Sequence, residues 1–321
     1  MREIKFVDIN GIKLGHAQNI KGLTGCSVIL CEKGATGGVD VRGGAPGTRE
    51  TDLLDPSEMI EKIHAVVLSG GSAFGLDASS GVMKYLEEKN IGFDVQVAKV
   101  PIVCSAVLFD LAFGNPKIRP DKSMGYEACV NSETYNDDIN GNIGAGYGAT
   151  IGKILGPHTA MKGGLGTYAV EVGNLKVGAI VAVNCLGDVI DPKTSNIIAG
   201  ALDKNTNKFL NSENILINNL KNPKTPFKGN TTIGLVVTNA NLSKANAKKV
   251  ASMAHNGYAR TMRPAHTMFD GDTIFTMATN EVDIDVTTVG MIASNVMEKA
   301  ILRAIKEAYS LNGIKAYKDL L

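Results

Sequence analysis

Short apolar runs, each closed by turn residues, most constrain what this chain can fold into. They are "CSVILC" (26–31), "HAVVLSGG" (64–71), "GLGTYAVEV" (164–172), "KVGAIVAVN" (176–184), "TTIGLVVTN" (231–239) and "DTIFTMAT" (272–279). Runs of this length and texture fit buried strands, and the adjacent third and fourth suggest a hairpin. Helical patterns lie between and after them. "SAFGLDASSGVMKYLEEKN" carries a small-residue face of Gly75, Ala78, Ser79 and Val82. Ser243 can cap a helix bearing Ala247, Val250, Ala251, Ala254 and Tyr258 at three-to-four spacing. From about Thr287 to Leu311 a stripe of Val289, Ile292, Ala293, Val296, Met297, Ala300, Ile301, Ala304 and Ile305 predicts a long amphipathic helix, stopping at Asn312-Gly313. Strands alternating with helices imply an α/β protein of layered sheets covered by helices. No internal repeat or two-domain split shows, so residues 1–321 read as one domain. Abundant glycine (36 residues) and few aromatics (5%, no Trp) suit layers that approach closely.

Charge excludes several functions. Thirty-three Lys and Arg against 32 Asp and Glu leave a net +1 without like-charge runs, giving no electrostatic support for nucleic acid or a membrane surface. No apolar stretch approaches the ~20 residues that span a bilayer. "MREIKFVDINGIK" lacks a signal-peptide core, so a cytoplasmic protein is expected. Five cysteines without CxxC spacing suit buried thiols in a reducing compartment. No two of the five histidines lie within four residues, so no zinc site is expected. "GAGYGATIGK" fails as a phosphate loop: five residues separate Gly146 from Gly152, and Ile154 follows Lys153 where a hydroxyl belongs. "SGGSAFG" is neither a dinucleotide fingerprint nor a nucleophile elbow. Asp283 and Asp285 suit the solvent side of a strand end.

Between Asp203 and Gly229 the texture turns to Asn and Lys, with two prolines near the end: a surface loop or partly disordered segment with room for a short helical turn. It runs into Asn230-Thr231-Thr232 at the mouth of the apolar run 233–237. These residues could simply start a strand. They could equally mark a cut that makes Thr231 an amino terminus. A lysine amine, of pKa ~10.4, is almost wholly protonated at neutral pH, whereas an α-amine, at ~7.7–8.0, is free to roughly a tenth. A terminal threonine would therefore hold nucleophile and base in one residue. The cut could use the same hydroxyl, attacking the Asn230 carbonyl, shifting the acyl group from nitrogen to oxygen and leaving an ester for water. That chemistry needs an oxyanion donor and orienting groups. Asp270 and Asp272 in "FDGDT" offer carboxylates, though Asp-Gly is also an ordinary turn.

"NTTIGLVVTNANLS" and "HTMFDGDTIFTMAT" resemble the N-terminal-nucleophile amidohydrolases that include L-aminopeptidase/D-esterase, the β-aminopeptidases and the 6-aminohexanoate-oligomer (nylon oligomer) hydrolases. "GIKLGHA", "TGCSVILCEKGATGGVDVRGGAPGTRETDLLDP", "HAVVLSGGSAFGLDASSGV" and "VPIVCSAVLFDL" extend the likeness over nearly the whole chain. The resemblance implies a helix–sheet–sheet–helix (αββα) sandwich, as in ornithine acetyltransferase, and self-cleavage into 1–230 and 231–321. It implies Thr231 as nucleophile, Asn184 as an oxyanion donor, Lys153 beside the nucleophile, and Asp270 with Asp272 orienting the threonine. Without it, Asn184 reads as a strand-end turn residue and Lys153 as a surface lysine. Phe109 stands where the nylon-oligomer hydrolases carry a pocket tyrosine, a departure that keeps the ring volume and loses a hydrogen-bond donor. The implied activity is hydrolysis of small peptides, amino-acid amides or amino-acid oligomers, without metal or cofactor, by a homo-oligomer, expected to be a tetramer of cleaved protomers. Transfer of the acyl group to an amine, or an uncut non-enzymatic descendant, are the rival readings.

Overall fold

Ten strands form one hydrogen-bonded sheet in the computed structural model, which describes residues 1–221 and 229–321. In chain order they are β1 (Arg2–Ile4), β2 (Lys13–Asn19), β3 (Thr24–Val41), β4 (Thr48–Arg49), β5 (Lys62–Ser69), β6 (Val103–Val107), β7 (Gly164–Val172), β8 (Leu175–Val183), β9 (Ile233–Ala240) and β10 (Thr273–Val282). Across the sheet the order is β1-β7-β8-β9-β10-β3-β5-β6-β4, with β2 on β3. The hairpin expected of 164–184 is present, Val172 facing Leu175 across its turn. β9 lies parallel to β10, and β5 parallel to β6, so the sheet is mixed.

β3 joins the two halves. Its first residues pair with β2 and β5, and its last six with β10, the register against β5 shifting between Leu30 and Ala35. The two sheets expected of a sandwich are thus hydrogen-bonded into one. A single buried cluster takes side chains from both halves: Ile29, Ile63 and Leu68 meet Ile180, Leu235, Val237 and Phe275. Strand alternation sends the intervening residues the other way. Val236 and Val181 pack with Val250 and Ala254 of α4 (Lys244–Thr261) and Val296 and Ile301 of α5 (Val286–Glu307). Val28, Leu30 and Val67 pack with Val82 and Leu86 of α1 (Ala78–Glu88) and Cys129 of α2 (Lys122–Asn131). This two-sided burial explains why the strands read as continuous apolar runs.

Small residues set the spacing. A Cβ on Gly166 of β7 would lie 2.0 Å from the carbonyl oxygen of Ala300 in α5, and one on Gly164 would lie 2.4 Å from that of Ala304. The helix therefore rests on the strand's backbone.

Other expectations are adjusted locally. Ser243 caps α4, its side chain accepting from Asn246 N–H. α5 ends at Glu307, short of the expected Leu311, where Leu311 and Ile314 instead bridge to each other. Asp283 and Asp285 are exposed, and Asp285 caps α5 by accepting from Thr288 N–H. The helix after β5 opens as a 3-10 turn, Ser72–Asp77, before α1. In the expected loop 203–229, a two-stranded ladder (202–203 with 208–209) and a short helix, Ser212–Asn218, are ordered. Asp188 anchors that helix by accepting from Ser212 N–H at 2.6 Å and Ser212 Oγ at 2.8 Å. The rest of that loop, 222–228, lies outside the described residues. All five cysteines are buried. No helix among the described residues is long and apolar enough to cross a membrane.

Adding one methyl at the strand–helix contact should be felt. Gly166→Ala is expected to destabilise the protein by about 1–3 kcal/mol, read as a lower denaturant midpoint at an unchanged slope. A midpoint equal to wild type would show that α5 does not bear on β7 as described.

Candidate active site

Strand ends build the site. Asn184 directly follows β8, Thr231 and Thr232 precede β9, and Asp270 to Asp272 precede β10; the three strands are neighbours. Pairing continues beyond the strands. Asn230 bridges Asp270 in parallel, Gly271 N–H donates to the Asn230 carbonyl at 3.3 Å, and Thr273 N–H donates to Thr232 at 3.2 Å. On the other side Thr231 N–H donates to the Asn184 carbonyl at 3.0 Å. Thr231 is thereby held between two backbones and is 5% exposed. Its hydroxyl donates in a short contact to the carbonyl oxygen of Asn230, the residue before it.

Lys153 is no surface lysine. It is fully buried, and Nζ donates to Thr150 O and Asn184 Oδ1, both at 2.7 Å, and to Thr150 Oγ1 and Asn184 O, both at 3.2 Å. The Asn184 carbonyl is thus shared by the Lys153 ammonium and the Thr231 N–H. Burial pulls Lys153 down to about 7, against weaker upward pulls from Cys185, Asp270 and Asp110. Asn184 is a buried hub rather than a turn residue. Its Oδ1 also accepts from Thr150 N–H at 2.9 Å, and its Nδ2 donates to the Phe109 carbonyl at 3.0 Å. That contact orients the amide and ties it to the cavity wall.

The two carboxylates lie on the opposite side of Thr231. Asp270 Oδ2 accepts from Thr267 N–H at 3.1 Å and Thr267 Oγ1 at 2.5 Å. Burial, reinforced by the neighbouring Asp272 charge, pushes Asp270 up to about 6. Asp272 Oδ1 accepts from Thr232 N–H at 2.9 Å, and Oδ2 accepts from His266. The turn here closes at Asp270, whose N–H donates to the Thr267 carbonyl at 3.2 Å, and Asp270 itself pairs with Asn230 as a bridge rather than opening an Asp-Gly turn.

A cavity of about 640 Å³ opens at Thr231. Phe109, Val107, Leu108, Pro46, Met268 and Phe269 give it apolar walls, and Ser72 and Asn230 add polar groups. All the residues named from the sequence, Thr231, Asn230, Lys153, Asn184, Asp270, Asp272 and Phe109, therefore converge. Thr150, His266 and Thr267 were not anticipated. Thr150 was hidden in a glycine-rich turn; His266 and Thr267 open the very stretch "HTMFDGD" whose aspartates were noticed. Among the described residues no group of three or more His, Cys, Asp or Glu is placed to hold a metal ion.

The model of peptidase family S58 matches residues 5–318. An uncharacterized aminopeptidase of Mycobacterium tuberculosis is 38% identical, over 98% of this chain and 96% of its own length. A 6-aminohexanoate-oligomer endohydrolase of Kocuria sp. is 31% identical over 95% of this chain and 87% of its own. Among solved structures, the L-aminopeptidase D-Ala-esterase/amidase of Ochrobactrum anthropi, a variant of the Ntn hydrolase fold, superposes with a TM-score of 0.69. It is 17% identical and covers 95% of this chain and 86% of its own.

The Asp270 carboxylate is costly to bury. Between its ordinary value of 3.8 and about 6 the folded protein binds a proton that the unfolded chain does not, so stability falls as pH rises through that window and the cost is complete above it. Asp270→Asn should therefore raise the melting temperature at pH 7.5, by on the order of 2 kcal/mol in stability, with the gain shrinking toward pH 4. A variant less stable than wild type at pH 7.5 would contradict this electrostatic account.

Proposed function

The chain belongs to peptidase family S58, and on that premise we propose that it is a self-processing amide hydrolase whose nucleophile is Thr231. The observation carrying the proposal is the convergence on one threonine: its N–H and the Lys153 ammonium meet at the Asn184 carbonyl, and its hydroxyl lies against the Asn230 carbonyl. In the first step Thr231 Oγ1 attacks the Asn230 carbonyl carbon. Charge develops on an oxygen that already accepts from Gly271 N–H. Breaking the C–N bond moves the acyl group to oxygen, and water hydrolyses the ester, leaving chains 1–230 and 231–321.

The freed α-amine then removes the proton from its own hydroxyl as the hydroxyl attacks a substrate amide. The leaving amine takes that proton, and water releases the acyl group. A positive charge on Lys153 disfavours protonation of the amine and so holds it as the free base. Asp270 and Asp272 act in the opposite direction, while Asp272 holds Thr232 in place. The Asn184 amide is the donor proposed for the substrate oxyanion.

The apolar cavity supports substrates such as small peptides, amino-acid amides or ω-amino acid oligomers, including those of 6-aminohexanoate. Phe109 keeps ring volume there without a hydroxyl donor. The proposal extends to a helix–sheet–sheet–helix layering, shared with ornithine acetyltransferase, and to a cytoplasmic tetramer of cut protomers. Intact mass after purification should give two species in place of 33.8 kDa. Thr231→Ala should stay whole and lose at least about a thousandfold in kcat/KM. A wild-type chain that remains whole and hydrolyses amides at full rate would overturn the proposal.

A further inference from the structure

His266 takes no part in the mechanism above, yet its surroundings are highly specific. It sits at φ +58°, a left-handed conformation that turns its backbone N–H onto Asp272 Oδ2 at 3.0 Å. Its Nδ1 lies 3.0 Å from the same oxygen. Because that oxygen accepts, the ring must carry its proton on Nδ1. Nε2 is buried without a partner among the described residues, where a bare lone pair costs less than an unpaired N–H. The ring is walled by His255, edge-on at 4.8 Å between centroids, and Tyr258, stacked at 6.0 Å. His255 is itself fixed, its Nε2–H donating to the Asp40 carbonyl at 2.9 Å. Two donors from one residue thus hold Oδ2 of a carboxylate that is 1% exposed. The other oxygen is aimed at Thr232 N–H, one residue beyond the nucleophile.

We infer that His266 is a positioning residue for the threonine: its Nδ1–H fixes the rotation of the Asp272 carboxylate, which in turn fixes Thr232 and, through it, the aim of the Thr231 hydroxyl. The inference rests on the reading of Thr231 as nucleophile. Without the imidazole donor Oδ2 keeps only the His266 backbone N–H, the carboxylate gains rotational freedom, and sub-ångström placement of the hydroxyl is lost. Such a loss falls on the chemical step rather than on substrate binding.

Three substitutions separate this role from simple packing. His266→Asn keeps a donor at the Nδ1 position and tolerates the left-handed backbone. His266→Phe keeps the ring against His255 and Tyr258 and loses the donor. His266→Gly loses both without backbone strain, so it serves where Phe fails to fold. Each is made in the full chain. The measurements are the extent of the 230/231 cut by intact mass and kcat and KM on alanine 4-nitroanilide. The Asn variant is expected within about fivefold of wild type. Phe and Gly are expected to lose about 30-fold or more in kcat, with KM within about threefold, and to cut more slowly. In an Asp272→Asn background, His266→Gly should bring no further loss. Activity kept by Phe but lost by Asn would assign the residue to packing and overturn the inference, as would equal losses in Asn and Gly. A Thr231→Ala chain as active as wild type would instead sink the threonine reading itself. Dependence on Thr231 with an unimpaired Gly variant would sink only the role of His266.

Discussion

The carbonyl oxygen of Asn184 accepts from Lys153 Nζ and from Thr231 N–H, and the rest of the site is arranged around that shared acceptor. A fully buried ammonium is tolerable only if oxygens surround it. Here Thr150 and Asn184 supply all four; Asn184 follows β8 directly, and Thr150 pairs with Lys162 in a short two-stranded ladder. The same requirement that keeps Lys153 satisfied therefore fixes the end of β8. That end fixes Thr231, and the ladder through Asn230 brings Asp270 alongside. Electrostatics and strand pairing cannot be separated at this point: moving the lysine would release the main chain that aims the threonine.

The sheet explains why these ends meet. β8, β9 and β10 are consecutive in space although β10 follows β9 by a long helix and β8 precedes it by nearly fifty residues of other structure. A parallel β9–β10 pair needs such a crossover, which α4 provides. Parallel pairing places both strand starts at one edge, so Thr231 and Asp272 arrive side by side. β8 runs antiparallel to β9, so its end reaches that edge too.

Much of this was legible. The apolar runs located the strands because burial on both faces removes the polar alternation that would blur them. Abundant glycine and few aromatics signalled close layers, and the glycines of β7 are where α5 touches backbone. The extent of β3 was not legible: its second half, "KGATGGVDV", has no continuous apolar run and carries Gly34 and Gly37-Gly38, which read as turn signals, so pairing, chiefly with β10, is what makes it strand. The end of α5 was misplaced because apolar spacing continues past Glu307, where the chain departs into its own turn. At the site, Thr231 and the aspartates came from motif likeness, since a threonine before a strand carries no chemical mark. His266 escaped because its role arises from a backbone angle and one carboxylate oxygen, neither of which spacing encodes.

Lys153 has an instructive counterpart. Lys162 is equally buried and is likewise pulled down to about 7 by burial. Its Nζ donates to the carbonyls of Gly146, Ala149 and Gly163, at 3.0, 2.8 and 3.1 Å. All three acceptors are main-chain oxygens around the glycine-rich turn, so Lys162 braces that turn from within. Lys153 shares one of its acceptors with the residue proposed to do the chemistry. In the sequence Lys153 follows the glycine-rich stretch and Lys162 precedes Gly163-Gly164, and neither setting marks a role. The difference between a brace and the charge proposed to act on the amine is therefore set by which oxygen each ammonium reaches, and by what else that oxygen holds.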